Sequence, residues 1–213
     1  MPDDSLLLNG ASEAPITLVL AHGAGASMDA PLMNTVADAI GGAQVRVVRF
    51  EFPYMAARRV SGNRHAPDRE PVLIESWRSV IAKLGEVAGL VIGGKSLGGR
   101  IASMIADETG AAGLVCLGYP FHPPGNPGRT RVKHLENLRT PALIVQGTRD
   151  SFGGPDEVAG YNLSEKIRIV WIEGGDHSLK PLARSGRSEA QNVAEAISEV
   201  QRFIAELKPR GKN

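Results

Sequence analysis

Strand-length apolar runs recur along the chain at Ile16–Ala21, Val45–Phe52, Leu90–Gly93, Gly113–Leu117, Ala142–Val145 and Ile167–Ile172. Several are apolar at successive positions rather than alternate ones, so both faces of the sheet they build must be covered. Between them lie segments with helical periodicity: Leu32–Ile40, Pro71–Leu84, Gly99–Asp107, a short one near Asp156–Tyr161, and Glu189–Leu207. Two-sided strands joined by helical crossovers predict an α/β chain with a doubly wound, mostly parallel sheet flanked by helices. Ligands of such a sheet sit beyond the carboxyl ends of its strands. Ala56–Asp68 and Phe121–Thr130, rich in Arg, Gly and Pro, are expected to be irregular and to wall a pocket at that rim.

The length of 213 residues, 42% of them hydrophobic, fits one domain that buries roughly 70% of its unfolded surface. Residues 1–12 and 208–213 are expected as flexible tails. A net charge of +1 supplies no general field for nucleic acid or an anionic membrane, so neither is expected as a partner. The single cysteine, Cys116, has no disulfide partner, and MPDDSLLLNG is acidic where an export signal would be basic. No stretch approaches the roughly 20 apolar residues that span a bilayer. A cytoplasmic location is expected. Dispersed histidines and a lone cysteine give no metal-ligand spacing, so the chain is read as needing neither metal nor cofactor. Nothing in the sequence decides the oligomeric state.

The stretch "GLVIGGKSLGG" satisfies two patterns at once. Gly89, Gly94, Lys95 and Ser96 match G-x-x-x-x-G-K-[ST], a phosphate-binding loop, while Gly94, Ser96 and Gly98 match G-x-S-x-G, a nucleophile elbow. A phosphate loop needs four irregular residues after the first glycine, with amides free to surround the ligand. Here they are Leu-Val-Ile-Gly, which read as strand, and no Asp closes Gly113–Leu117 to hold magnesium. The elbow places its glycines at the two positions that a sharp strand-to-helix turn presses together. It also lifts the Ser96 hydroxyl out of the sheet beside a helix amino terminus, where negative charge is favoured. The elbow is therefore the preferred reading, with Lys95 an incidental, solvated or more remote cation.

A serine nucleophile needs a base and a carboxylate that orients it. "VQGTRDSFGG" sets Asp150 beyond the run Ala142–Val145, and "WIEGGDHSLK" sets His177 beyond Ile167–Ile172. Ser96, Asp150 and His177 thus follow the hydrolase order, each on a loop at a strand's carboxyl end. Asp176 and Asp156 are rival acids; the first adjoins His177, and adjacent side chains in an extended segment diverge. His65 and His134 read as surface residues. His122, in "GYPFHPPG", is either a pocket residue or a packed loop histidine. Cys116 reads as core, since apolar burial raises a thiol's pKa and hides it.

An oxyanion needs amide donors, and Leu97 supplies one. "LVLAHGAGAS" offers the other at Ala24, with Gly25 next, and Asp29 and Pro31 read as the start of the following helix. The pocket is expected to be open and shallow, lined by Pro53, Tyr54, Tyr119, Phe121 and His122. Arg58, Arg59 and Arg64 are candidates for a substrate carboxylate, the alternative being a solvated basic loop.

With these residues in place the chain resembles the α/β-hydrolase superfamily, in its small lidless group similar to dienelactone hydrolases. "HGAGASMDAPLM", "FEFPYM", "GGKSLGGRIAS", "LGYPFHPPG", "QGTRDSFG" and "GDHSLKP" resemble more closely a compact hydrolase-like family that includes animal chromatin-complex and testis-expressed members. The resemblance covers nearly the whole chain. It implies the hydrolase fold without a lid domain, Ser96, Asp150 and His177 as triad, and hydrolysis of a small carboxylic ester or related acyl substrate. Dienelactone hydrolases carry cysteine at the elbow where this chain has serine, so their substrate does not transfer. A peptidase would use the same triad with a different pocket. The alternative from another class is a hydrolase-like interaction or scaffold protein with little or no catalysis.

Overall fold

The computed structural model describes residues 6–85, 87 and 89–207. Its sheet is built from β1 (Leu7–Asn9), β2 (Ile16–Ala21), β3 (Val45–Phe50), β4 (Leu90–Lys95), β5 (Gly113–Leu117), β6 (Ala142–Gly147) and β7 (Ile167–Ile172). The spatial order is β1-β3-β2-β4-β5-β6-β7. Every pairing is parallel except β1 with β3, where Leu8 faces Val48. The helices are α1 (Pro31–Ile40), α2 (Pro53–Ser61), α3 (Glu70–Leu84), α4 (Leu97–Ile105), α5 (Pro155–Val158) and α6 (Glu189–Glu206).

The continuous apolar character of the strands is explained by two cores. On one face Val19, Ile92, Leu114 and Ile144 meet Leu73 and Trp77 of α3 and Ile101 and Ile105 of α4. On the other, Leu18, Val91, Val115 and Leu143 meet Val36 and Ile40 of α1 and Val193, Ile197, Val200 and Ile204 of α6. Those four α6 residues repeat at intervals of three and four and so form one stripe. The helix is started by a capping box, with the Gln191 amide donating to Ser188 Oγ at 3.1 Å and the Ser188 amide to Gln191 Oε1 at 2.8 Å.

Several boundaries differ from the sequence reading. Ala56–Ser61, expected as irregular, belongs to α2: Pro53 sets the first turn, Tyr54 and Met55 bury the inner face, and Gly62 at φ 70° ends it. The same proline ends β3 at Phe50 rather than Phe52, because Glu51 and Phe52 lead into the helix. Helix α4 begins at Leu97, immediately after the turn, rather than at Gly99. The expected amino-terminal tail of residues 1–12 contains β1, which caps the sheet edge at β3. Residues 1–5 and the carboxyl-terminal segment 208–213 lie outside the described residues.

The strand order reverses between β2 and β4, since the chain leaves β2 for β3 on one side and returns to β4 on the other. Loops diverge there and open a crevice at the carboxyl ends. The long connection from β5 to β6 carries only a 3₁₀ turn, Lys133–Leu135, among its described residues, so no helical lid is inserted over that crevice. No helix among the described residues is long and apolar enough to cross a membrane.

Candidate active site

Residues Leu90 to Lys95, which a phosphate loop would need as open backbone, form strand β4. The chain then turns at Ser96, whose φ of 50° and ψ of −111° lie outside the regions ordinarily open to a residue with a side chain. The turn is held because the Ser96 amide donates to the Leu117 carbonyl at 3.1 Å and the Ser96 carbonyl accepts from the Arg100 amide at 2.9 Å. Gly94 and Gly98 make it possible by packing against one atom. A Cβ on Gly94 would lie 2.1 Å from the Ala21 carbonyl oxygen, and a Cβ on Gly98 2.2 Å from the same oxygen. Gly98→Ala is therefore expected to destabilise the fold by about 3 kcal/mol or more, read as a lowered urea midpoint, because a rigid strand carbonyl cannot move aside.

Ser96, Asp150 and His177, distant in sequence, meet at this rim. His177 Nδ1 donates to Asp150 Oδ2 at 2.8 Å, and His177 Nε2 accepts from Ser96 Oγ at 2.8 Å. The Asp150 side chain is fully buried and His177 is about one-fifth exposed, so the hydrogen-bonded line runs from the interior to the surface. Two further donors saturate the carboxylate: the Phe152 amide reaches Oδ1 and Gln146 Nε2 reaches Oδ2, each at 2.9 Å. The Phe152 ring lies 4.1 Å from the His177 ring, tilted by 31°, and limits its swing. The rival acids are engaged elsewhere. Asp176 Oδ1 accepts from the Ser178 and Lys180 amides, closing its own loop, and Asp156 lies in the first turn of α5.

Leu97 is the first residue of α4, so its amide has no carbonyl within the helix to bond. The facing loop after β2, which carries Ala24 and Gly25, is fixed from below by His22. That ring is wholly buried, accepts the Phe52 amide at Nε2 (3.1 Å) and donates from Nδ1 to the Gly23 carbonyl (2.7 Å). Such a pattern needs a neutral imidazole, and burial pushes its pKa below the ordinary value.

The expected pocket residues divide. Tyr119 and Phe121 are completely buried and belong to the core between α4 and the sheet, with the Tyr119 hydroxyl donating to the Arg131 carbonyl at 2.9 Å. Neither lines an open cleft, because two aromatic rings bury more favourably than they solvate. His122 is buried and committed, Nδ1 to the Pro123 carbonyl (2.7 Å) and Nε2 to Glu157 (3.0 Å). Tyr54 is buried behind the loop after β2 and donates to the Ala24 carbonyl at 3.2 Å. Pro53 is exposed at the start of α2. His134, expected at the surface, is partly buried and bonded to Ser103 at 2.8 Å. Arg58 does line a cavity of about 540 Å³, together with Gly25, Ala26, Met55 and Glu51. Arg59 beside it is engaged with Asp29 at 2.9 Å and Glu51 at 2.6 Å, and its guanidinium holds the Asp29 carboxyl well below the usual range. Arg64 is exposed.

Of the two places expected for Lys95, solvated or more remote from the reacting atoms, the structure shows the second: the side chain is partly buried, and its Nζ lies out of solvent beside His177 with no hydrogen-bond partner. Gln146 and Phe152 are the residues at the site that the sequence reading passed over.

Residues 14–205 match the alpha/beta hydrolase domain family, and the chain belongs to that family. Among solved structures it is similar to an α/β serine hydrolase homologue from Coxiella burnetii at 19% identity, covering 92% of this chain and 89% of that one, with a TM-score of 0.69. It is similar at 18% identity to an α/β serine hydrolase without lid from Xanthomonas campestris, covering 98% and 90% of the two chains, TM-score 0.69. A dienelactone hydrolase from Anabaena variabilis aligns at 18% identity over 95% of this chain and 91% of its own, TM-score 0.67.

Proposed function

We propose that this protein is a serine hydrolase that cleaves a small carboxylic ester or related acyl substrate through an acyl-enzyme. The observation that carries the proposal is the continuous hydrogen-bonded line Ser96–His177–Asp150, with both links at 2.8 Å. His177 Nε2 takes the Ser96 proton as Oγ attacks the carbonyl carbon, and the Asp150 carboxylate balances the imidazolium that forms. The Leu97 and Ala24 amides, with Gly25 adjoining, receive the oxyanion. His177 returns its proton to the departing alkoxide, then activates water to release the acid and restore Ser96. The cavity lined by Gly25 and Arg58 adjoins the loop that offers the second amide, and access from solvent without a lid suits small or exposed esters.

The test is treatment of the native protein with a fluorophosphonate, with mass spectrometry to locate the adduct, followed by turnover of p-nitrophenyl acetate. The expected result is a single adduct on Ser96 and measurable release of p-nitrophenol. Absence of both from folded protein would overturn the proposal in favour of a hydrolase-like interaction protein.

A further inference from the structure

Lys95 precedes Ser96 and closes strand β4, on the face of the sheet covered by α1 and α6. Its stem runs past Gly23, whose added Cβ would sit 3.5 Å from Lys95 Cγ. The side chain ends in a notch left by Gly118, at the carboxyl end of β5. A Cβ built on Gly118 would lie 2.8 Å from Lys95 Nζ, 2.9 Å from the His177 carbonyl oxygen and 3.4 Å from His177 Cε1. The ammonium and the edge of the imidazole therefore share the one space that a glycine at φ 68° keeps open.

An ammonium buried without a hydrogen bond is destabilising, because desolvation is offset only by more distant charges. The charges that partly offset its burial are the carboxylates of Asp150, after β6, and Asp176, after β7, neither of them bonded to it. From the loops after β2 and β5 it meets glycine, and His177 lies beside it. Asp150 grips the His177 ring, while Asp176 closes the loop that carries it. The one direct neighbour of the ammonium in this cluster is thus His177 itself, reached from the residue adjoining Ser96.

We infer that Lys95 is a positioning residue: its ammonium, lodged with the edge of the His177 imidazole in the notch at Gly118, holds that ring in register with Ser96. The inference rests on the serine hydrolase reading. Burial pushes the ammonium down to about 8, against the opposing pull of the two carboxylates, so its charge is lost as pH rises through that value. Cys116, Tyr54 and Tyr119 do not compete in this range, since burial pushes all three well up.

Lys95→Met, which keeps an unbranched apolar stem, tests the role. The expected result is a melting temperature equal to or above that of the native protein, with kcat lowered about 10- to 100-fold and KM unchanged. Native kcat/KM should fall as pH rises through about 8, and the variant should lack this alkaline limb. Native kcat and limb in the variant, or a loss of kcat matched by a lowered melting temperature with the limb intact, would overturn the role. If the variant does not fold, the native profile decides, and a flat profile through that region is negative. Failure of the native protein to take a fluorophosphonate adduct would instead remove the underlying hydrolase reading.

Discussion

Alanine at His177, or at Ser96, is expected to lower kcat by on the order of 10⁶, with little change in KM. His177 Nε2 is the acceptor placed 2.8 Å from Ser96 Oγ, and the fully committed buried histidines cannot replace it. His22 is locked between Phe52 and Gly23, and His122 between Pro123 and Glu157. Residues that act as one unit lose their effect together, so the double variant should be no slower than either single one. Initial rates on p-nitrophenyl acetate, with far-ultraviolet circular dichroism to verify folding, make the check. A variant at either position retaining a tenth of native kcat would contradict the assignment.

The second large effect is expected at Asp150. Asp150→Asn should lower kcat by roughly 10⁴, because an amide cannot accept from every donor that now faces the carboxylate. The Phe152 amide, Gln146 Nε2 and His177 Nδ1 all point hydrogens at its two oxygens. If the new amide keeps its oxygen toward Phe152, its NH₂ faces His177, whose Nδ1 must then accept. The ring proton moves to Nε2, and the atom facing Ser96 becomes a donor that cannot take the hydroxyl proton. Rates of Ser96 labelling should fall in parallel with turnover, which distinguishes a wrong tautomer from a lost substrate contact.

Much of the architecture was legible in the chain because its signals are local. Six of the strands and the long helices follow from apolar runs and periodicity, and the order of serine, acid and histidine follows from which strand each succeeds. Strand β1 was not legible, because Leu7–Asn9 is too short to register and is ordered only by pairing with β3. Helix α2 carried its proline and glycine signals, yet its arginines made it read as an irregular surface loop. Among pocket residues the error had one cause. Tyr119 and Phe121 follow a strand at the correct rim, as does His122, for which a packed loop position was already one of the two readings, but position along the chain does not tell whether a side chain turns toward solvent or beneath the sheet edge. Gln146 did leave a trace, an amide in the otherwise apolar run "ALIVQG", where a buried polar group needs partners. Lys95 left none, since only its neighbours in space distinguish a buried ammonium from a solvated one.

The Ala21 carbonyl that abuts both Gly94 and Gly98 joins the turn at Ser96 to the strand from which the loop of Ala24 and Gly25 departs. The turn at Ser96 and the start of the loop after β2 are thereby spaced by main chain against main chain. On the proposed mechanism, substitutions along α2 and around Arg58 leave that spacing constant, so substrate range is expected to change by mutation without loss of the reaction itself.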